Sequence, residues 1–482
     1  MGSFLYLEVF VIVFALSVAT SMINKRVLGF PPAIGAPIVA AISVFILQWA
    51  AGLLAGNQFF TINVNEIENT VRGINFYDFL INGVICFVLT ASALKFKSSD
   101  LKAHWKPITI LATLSLLTCA FLFGVIMYGY QYMIGSPIPL LVLLLLGAAL
   151  GATDPIGIKG VLSSVKAPNH LMVKLEGESL FNDAMCISLF MTILNIIKGG
   201  DFTVIGVVET LLFEIIIAAI IGYAFGRIAL ALLKGKHDME TMILITALLA
   251  SASYLVALYA HASAPIACVI AGLMVGNKWN EFLKEKDTDE VNHFWHTIEG
   301  IINAFLFTLI GLELFILDLN IVMLLSGVFA FLVLHCSRFI ANFLTFYLFP
   351  NVRKNSLNGS LTILSWAGVR GGISLALVLA VINVPQLAPY SSFILGYTFI
   401  SVLLSGVVCG LGLPPVMNAF YHNPNEATTG LAGWYQKMCH KMNLSGEKYV
   451  IAVDKNGDED VIIYNPLADK NTITVQESDD KF

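Results

Sequence analysis

The chain has 482 residues, of which 57% are hydrophobic and 12% charged, and its formal net charge is −5. Soluble domains carry roughly 45–50% apolar and about 25% charged residues, so this balance excludes a disordered chain, a disulfide scaffold and an ordinary cytosolic enzyme. The small charge gives no reason to expect a nucleic-acid partner, and the long apolar runs read as an all-α polytopic membrane protein.

A bilayer core about 30 Å thick needs roughly 20 apolar residues of helix. In chain order the sequence offers thirteen such runs: 4–24, 30–54, 77–94, 107–128, 138–158, 175–197, 203–233, 241–258, 262–277, 294–316, 321–349, 358–383 and 391–420. The first lacks a basic n-region and a small-residue cleavage pattern, so it reads as a retained helix. The short ninth run, with Pro265 near its start, is the weakest of the set. Runs 203–233 and 321–349 are long enough to tilt or to extend beyond the hydrocarbon.

Basic residues alternate between the loops. After the odd-numbered runs stand sixteen Lys and Arg, from Lys25 and Arg26 through Lys95 and Lys97 to Arg353 and Lys354; the alternate loops hold only Arg72 and Lys198. Lys and Arg concentrate in short cytoplasmic loops. This places the N-terminus outside and the C-terminus in the cytoplasm, and supports a count of thirteen.

From about residue 421 the character changes. Residues 449–464 read as two β-rich stretches flanking Asn456-Gly457, a hairpin signal. A calcium loop fits less well, because Glu459 and Asn465 stand where an EF-hand needs glycine and a bidentate glutamate. The division is therefore a membrane domain at 1–420 and a cytoplasmic tail at 421–482. Six of the seven cysteines lie in apolar runs, none in a metal-ligating pattern, and no cofactor is expected.

Charges inside membrane segments cost at least ~2.5–3.5 kcal/mol each and are functional candidates. Run 5, with Gly151, Thr153, Asp154, Pro155 and Gly157, reads as a broken helix, since Pro155 removes a donor and clashes with the preceding turn. Freed backbone groups must face a cavity rather than lipid. In run 6, Glu178 and Asn182 share one helix face, and Ser179 with Asp183 form the neighbouring stripe. A carboxylate, a hydroxyl and a backbone carbonyl would make an oxygen-lined pocket for a hard cation such as Na⁺ or K⁺. Run 12 buries Arg370 among Gly368, Gly371 and Gly372. Its guanidinium must pair or be ringed by carbonyls, and Glu178 is the expected partner, in a structural role.

Runs 5 and 12 are seven spans apart and cross in opposite directions. Two Gly-interrupted segments in matching positions of inverted halves point to a transport site at the midplane. At the half-helix ends Asp154 would offset the positive termini and Arg370 the negative ones. Glu209, Glu214, Glu313, His335 and Arg338 read as structural, His261 as a surface residue, and Glu299 with Asn303 as one face of run 10.

GATDP in run 5, EGESLFNDA in run 6 and GVRGG in run 12 together resemble the monovalent cation/proton antiporters of the first class, the bacterial NhaP-type sodium/proton antiporters. The resemblance covers about residues 1–420. It implies a core domain and a dimerisation domain with crossed broken helices, a homodimer, and a multi-pass place in the bacterial inner membrane. It also implies ion ligation by Asp183, Asp154, Ser179 and the Thr153 backbone, with Glu178 and Arg370 paired and Asn182 in support. Asn182-Asp183 matches the electroneutral branch. Many relatives carry a glutamate in span 3, where this chain has Thr90 and Ala91.

The expected activity is exchange of a monovalent cation, Na⁺ first and K⁺ or Li⁺ behind it, for H⁺, by competition at Asp183 and alternating access, with a role in pH homeostasis. A K⁺/H⁺ antiporter is the alternative. A channel would need a filter-like loop and an intramembrane protease a Ser/His pair or HExxH, and neither pattern is present in the sequence. The chain is not expected to be an enzyme.

Overall fold

The computed structural model describes residues 2–30, 35–43, 46, 83–96, 98–154, 169–200, 203–235, 237–281, 283–312, 321–349, 360–379, 381, 384–421, 448–453 and 459–464. Every apolar run contains helical residues. Among the described residues, six helices are long and apolar enough to cross a membrane by length and composition.

The helices are α1 (Gly2–Ile23), α2 (Ile85–Lys95), α3 (Ser98–Ile110), α4 (Leu116–Met133), α5 (Leu140–Ala149), α6 (Asn169–Ile197), α7 (Val204–Leu233) and α8 (Met239–Tyr259). They continue as α9 (Ala264–Lys278), α10 (Glu285–Leu312), α11 (Ile321–Leu348), α12 (Ser360–Trp366), α13 (Gly372–Leu379), α14 (Ser391–Leu404) and α15 (Leu411–Tyr421). Short π-helical turns at Leu111–Ser115 and Ser405–Gly410 join α3 to α4 and α14 to α15. Beyond the helices, β1 (Lys448–Val453) pairs antiparallel with β2 (Glu459–Tyr464), Lys448 opposite Tyr464. The expected turn residues Asn456 and Gly457 lie outside the described residues.

Local signals set several of these boundaries. Ser263 caps α9 by accepting a hydrogen bond from the Ile266 amide, and Pro265 falls in the first turn. A proline there lacks only an N–H that the helix would leave unused. Thr203 caps α7 and Asp238 caps α8 in the same way. The 30 residues of α7 span about 45 Å at 1.5 Å each, more than the hydrocarbon thickness.

The helices fall into two packed groups. In one, α2, α7, α8 and α9 pack on one another and α10 lies against α1, α2 and α8. In the other, α4, α5, α6, α11 and the short α12–α14 interlock, and α6 and α13 make the contacts that join the groups. Outward faces are apolar: Ile205, Leu212, Phe213, Ile216 and Ile220 of α7 are all exposed. Polar residues such as Thr153, Glu178, Asn182, Arg338 and Arg370 are instead buried. A helix apolar all round belongs in lipid or in a large core, and this reversed distribution is that of a membrane bundle.

Candidate functional site

A helix end and an interrupted helix meet in the second group. The first is α5. Beyond Ala149 the last amides close short turns, Leu150 N–H to Leu146 O at 2.9 Å and Gly151 N–H to Ala148 O at 3.0 Å, and Ala152–Asp154 run on without regular structure. The second is the pair α12 and α13, separated by the irregular residues 367–371. Where they cross, the Asp154 amide donates to the Val369 carbonyl at 2.8 Å. Gly371 makes this approach possible, since a Cβ there would stand 2.7 Å from that of Asp154. The break in run 5 thus begins before Pro155; Pro155 and Gly157 lie outside the described residues.

Helix α6 lies alongside and stitches the first break. The Ser179 hydroxyl donates to the Thr153 carbonyl and stands 3.3 Å from the Thr153 hydroxyl. Asn182 Nδ2 donates to Gly151 O at 2.9 Å and reaches Thr153 Oγ1 at 3.3 Å. Asp183 stands near the Thr153 amide and the Asp154 carboxylate. Its Oδ1 is buried with no hydrogen-bond partner among the described residues. Asp154, Asp183 and Thr153 line one cavity of about 40 Å³ together with Ser92, Glu299, Asn303 and Gly371. That is room for a few waters or a small ion.

The arginines correct one expectation. Glu178 does not pair with Arg370; its Oε1 lies 2.7 Å from Nη2 of Arg338 in α11. Arg338 also donates to Leu364 O from Nε and Nη2. Gly368 leaves room for its stem, as a Cβ there would stand 2.8 Å from Arg338 Cδ. Arg370 points to the carbonyls of the first break, with Nη1 at 2.6 Å from Gly151 O and 3.2 Å from Ala152 O. Carbonyls at a helix C-terminus lack intrahelical partners and carry negative partial charge. The cation therefore caps the end of α5 through Nη1, while Glu178 is taken by Arg338. Its own amide donates to Ser405 Oγ at 3.0 Å, in the second π-helical turn.

Of the expected site residues, Thr153, Asp154, Ser179, Asn182 and Asp183 come together, and Glu178 and Arg370 flank them on separate partners. Glu299 and Asn303, read as one face of run 10, stand in the cavity wall. Ser92 donates to Glu299 Oε1 at 2.7 Å and Lys95 lies 2.6 Å from Oε2. Ser92 carries no signal in the sequence and Lys95 reads there only as a loop cation, although a serine and a lysine at i and i+3 share a helix face; the structure makes Lys95 the last residue of α2. Arg338, read as structural, is the buried counter-charge; a guanidinium in mid-run was its only signal. His335 meets Cys409 Sγ at 3.0 Å and the Phe331 carbonyl. Glu209, Glu214 and His261 stand apart, lining a second cavity beside the C-terminal half of α6.

A helix end crossing an interrupted helix, two carboxylates in one small cavity and an apolar exterior define a class, the membrane transporters. The sodium/hydrogen exchanger transmembrane model matches residues 9–419, and the chain belongs to the sodium/hydrogen exchanger family. It is 32% identical over 422 residues to the Na⁺/H⁺ antiporter NhaP of Pseudomonas aeruginosa, covering 86% of this chain and 97% of that one. To the Na⁺/H⁺ antiporter NhaG of Bacillus atrophaeus it is 29% identical, covering 70% of this chain and 63% of the relative. The fold is similar to the sodium proton antiporter MjNhaP1 of Methanocaldococcus jannaschii, solved at pH 8, with a TM-score of 0.63 and 18% identity. That likeness covers 85% of this chain and 99% of the other.

Proposed function

We propose that this chain exchanges Na⁺ for H⁺ across the membrane by competition at Asp183. The observation that carries the reading is the cavity where helix breaks meet, with Asp183 and Asp154 in its wall and a buried Asp183 oxygen lacking a hydrogen-bond partner among the described residues. A dehydrated cation needs oxygens in place of its water. Asp183, Asp154, Ser179 and the Thr153 carbonyl supply them, and half-helix ends with unwound carbonyls are a recurring way to hold Na⁺. Asp183 can take a proton or help hold the cation, but not both. A site that crosses the membrane loaded either way and never empty performs antiport.

Asn182 is neutral and already committed to Gly151 O, so one cation exchanged for one proton moves no net charge. Sodium is preferred over potassium because the relatives are named as Na⁺/H⁺ antiporters. The two helix groups support a core that moves against a dimerisation domain, residues 1–420 forming the exchanger and 421–482 a cytoplasmic tail. The exposed apolar face of α7 fits lipid or a second copy of the chain. The basic loops support an N-terminus outside and a C-terminus inside, and the bacterial relatives support a plasma membrane.

Purified protein in liposomes tests this reading. Adding Na⁺ should dequench a trapped pH dye, with Li⁺ and K⁺ as the comparison. The signal should persist when a potassium ionophore clamps the voltage. Asp183→Asn is expected to abolish it at normal expression, and full activity in that variant would remove Asp183 from its role.

A further inference from the structure

The cavity holds a carboxylate that the exchange reading does not use. Glu299 is 6% exposed and lines the same wall as Asp154 and Asp183. It comes from α10, in the other helix group, which meets α13 of the crossing. Its two oxygens are held differently: Ser92 donates to Oε1 at 2.7 Å, and the Lys95 ammonium sits 2.6 Å from Oε2. The lysine side chain is 28% exposed and the glutamate's 7%, so the pair runs from the cavity wall toward the outside of the bundle. One turn along α10, Asn303 also lines the cavity, and its Nδ2 is buried without a partner among the described residues.

Resting on the exchange reading, we propose that Glu299 is a further carboxylate of the cation path, adding to cation affinity at the Asp154–Asp183 cavity, and that Lys95 is the tethered cation that tunes it. A carboxylate has about four lone-pair sites, and one hydrogen bond to each oxygen leaves others to face the cavity. A charge as buried as that of Glu299 is screened less by salt than an exposed one, so it acts on a cation held in the cavity. Lys95 opposes it. An ion pair serving only to tie α2 to α10 has no reason to act on cation affinity. Such a buried pair is also a weak source of stability against apolar packing.

The two roles separate by the sign of their effects. Loss of attraction that acts throughout the cycle raises KM and leaves kcat in place. Glu299→Gln in liposomes is expected to raise the KM for Na⁺ about fivefold with the maximal rate within about twofold. Lys95→Gln, which keeps the carboxylate and removes its opponent, is expected to lower KM about threefold. A structural tie would move both variants the same way, together with their melting temperatures. Unchanged KM values, or shifts of the same sign, overturn the inference and leave the exchange reading standing. The parent's Na⁺-dependent thermal shift in detergent is measured alongside. A parent with neither exchange nor such a shift overturns both. If Glu299→Gln does not fold, the sign of the Lys95→Gln shift decides.

Discussion

Arg338 and Glu178 stand 160 positions apart in the chain and 2.7 Å apart in the fold, their side chains 6% and 2% exposed. The pair joins α11 to α6 one residue along α6 from Ser179. Removing one partner strands a charge where water cannot reach it, at a cost of about 3–5 kcal/mol. Arg338→Ala is expected to show that loss as a lower melting temperature in detergent. Glu178→Gln combined with Arg338→Met, which leaves no charge behind, should recover most of it. A single variant as stable as the parent would mean that the pair does not hold these helices together.

Arg370 caps the end of α5 rather than answering a carboxylate. Its fork serves Gly151 O and Ala152 O from one nitrogen. Lysine keeps the charge but carries it on a shorter side chain with no guanidinium, so its ammonium does not reach the place of Nη1. Arg370→Lys should lower thermal stability by about 1–3 kcal/mol, the cost of a buried polar group left without its partner, and slow exchange with it. Glu178 is not stranded in this variant, so Glu178→Gln should not rescue it, which a double-variant melting series would check.

The crossing itself depends on the missing side chain at Gly371. A Cβ at that position stands 2.7 Å from Asp154 Cβ and 3.0 Å from its Cγ, and overpacking of this kind costs about 1–3 kcal/mol. Gly371→Ala is expected to reduce Na⁺-dependent exchange in liposomes far more than Gly129→Ala, where nothing lies within 4 Å. Equal activity in the two would show that the breaks are free to separate.

Outside the spans, Asp238 accepts a hydrogen bond from the Thr241 amide at 3.0 Å at the start of α8. The bonds from Thr241 hold its carboxyl below the usual carboxylate range. A depressed folded value stabilises the helix start fully above the unfolded pKa of about 3.9 and loses that effect as pH falls through the folded value. Amide protection at 241–243 should therefore fall at low pH in the parent. In Asp238→Asn, whose amide caps without titrating, it should stay level. Hydrogen exchange read by mass spectrometry distinguishes the two.

Much of the site was legible in the chain because breaks and charges are local facts. Glycines beside Asp154 and around Arg370 mark where a helix cannot continue, and the i to i+4 spacing puts Glu178 with Asn182, and Ser179 with Asp183, on adjoining stripes. The offset of the C-terminal half-helix charge by Arg370 follows from the same reasoning. The partner of Glu178 was not legible. Two buried arginines, Arg338 and Arg370, were in reach on paper, and the deciding contact was the carbonyl pair at 151–152, which captures one of them. Ser92 carries no signal of its own and Lys95 reads as one more loop cation, because a serine and a loop-end lysine are ordinary residues until Glu299 stands opposite.

The sequence alone determined that this is a helical membrane bundle, that run 12 is interrupted, and which acids lie within it, since hydropathy, glycine and charge act on the residues that carry them and on their near neighbours. Only the tertiary structure decided which guanidinium meets which carboxylate and that α10 contributes to the cavity. Helix periodicity says which side chains share a face, and only packing brings another helix opposite that face.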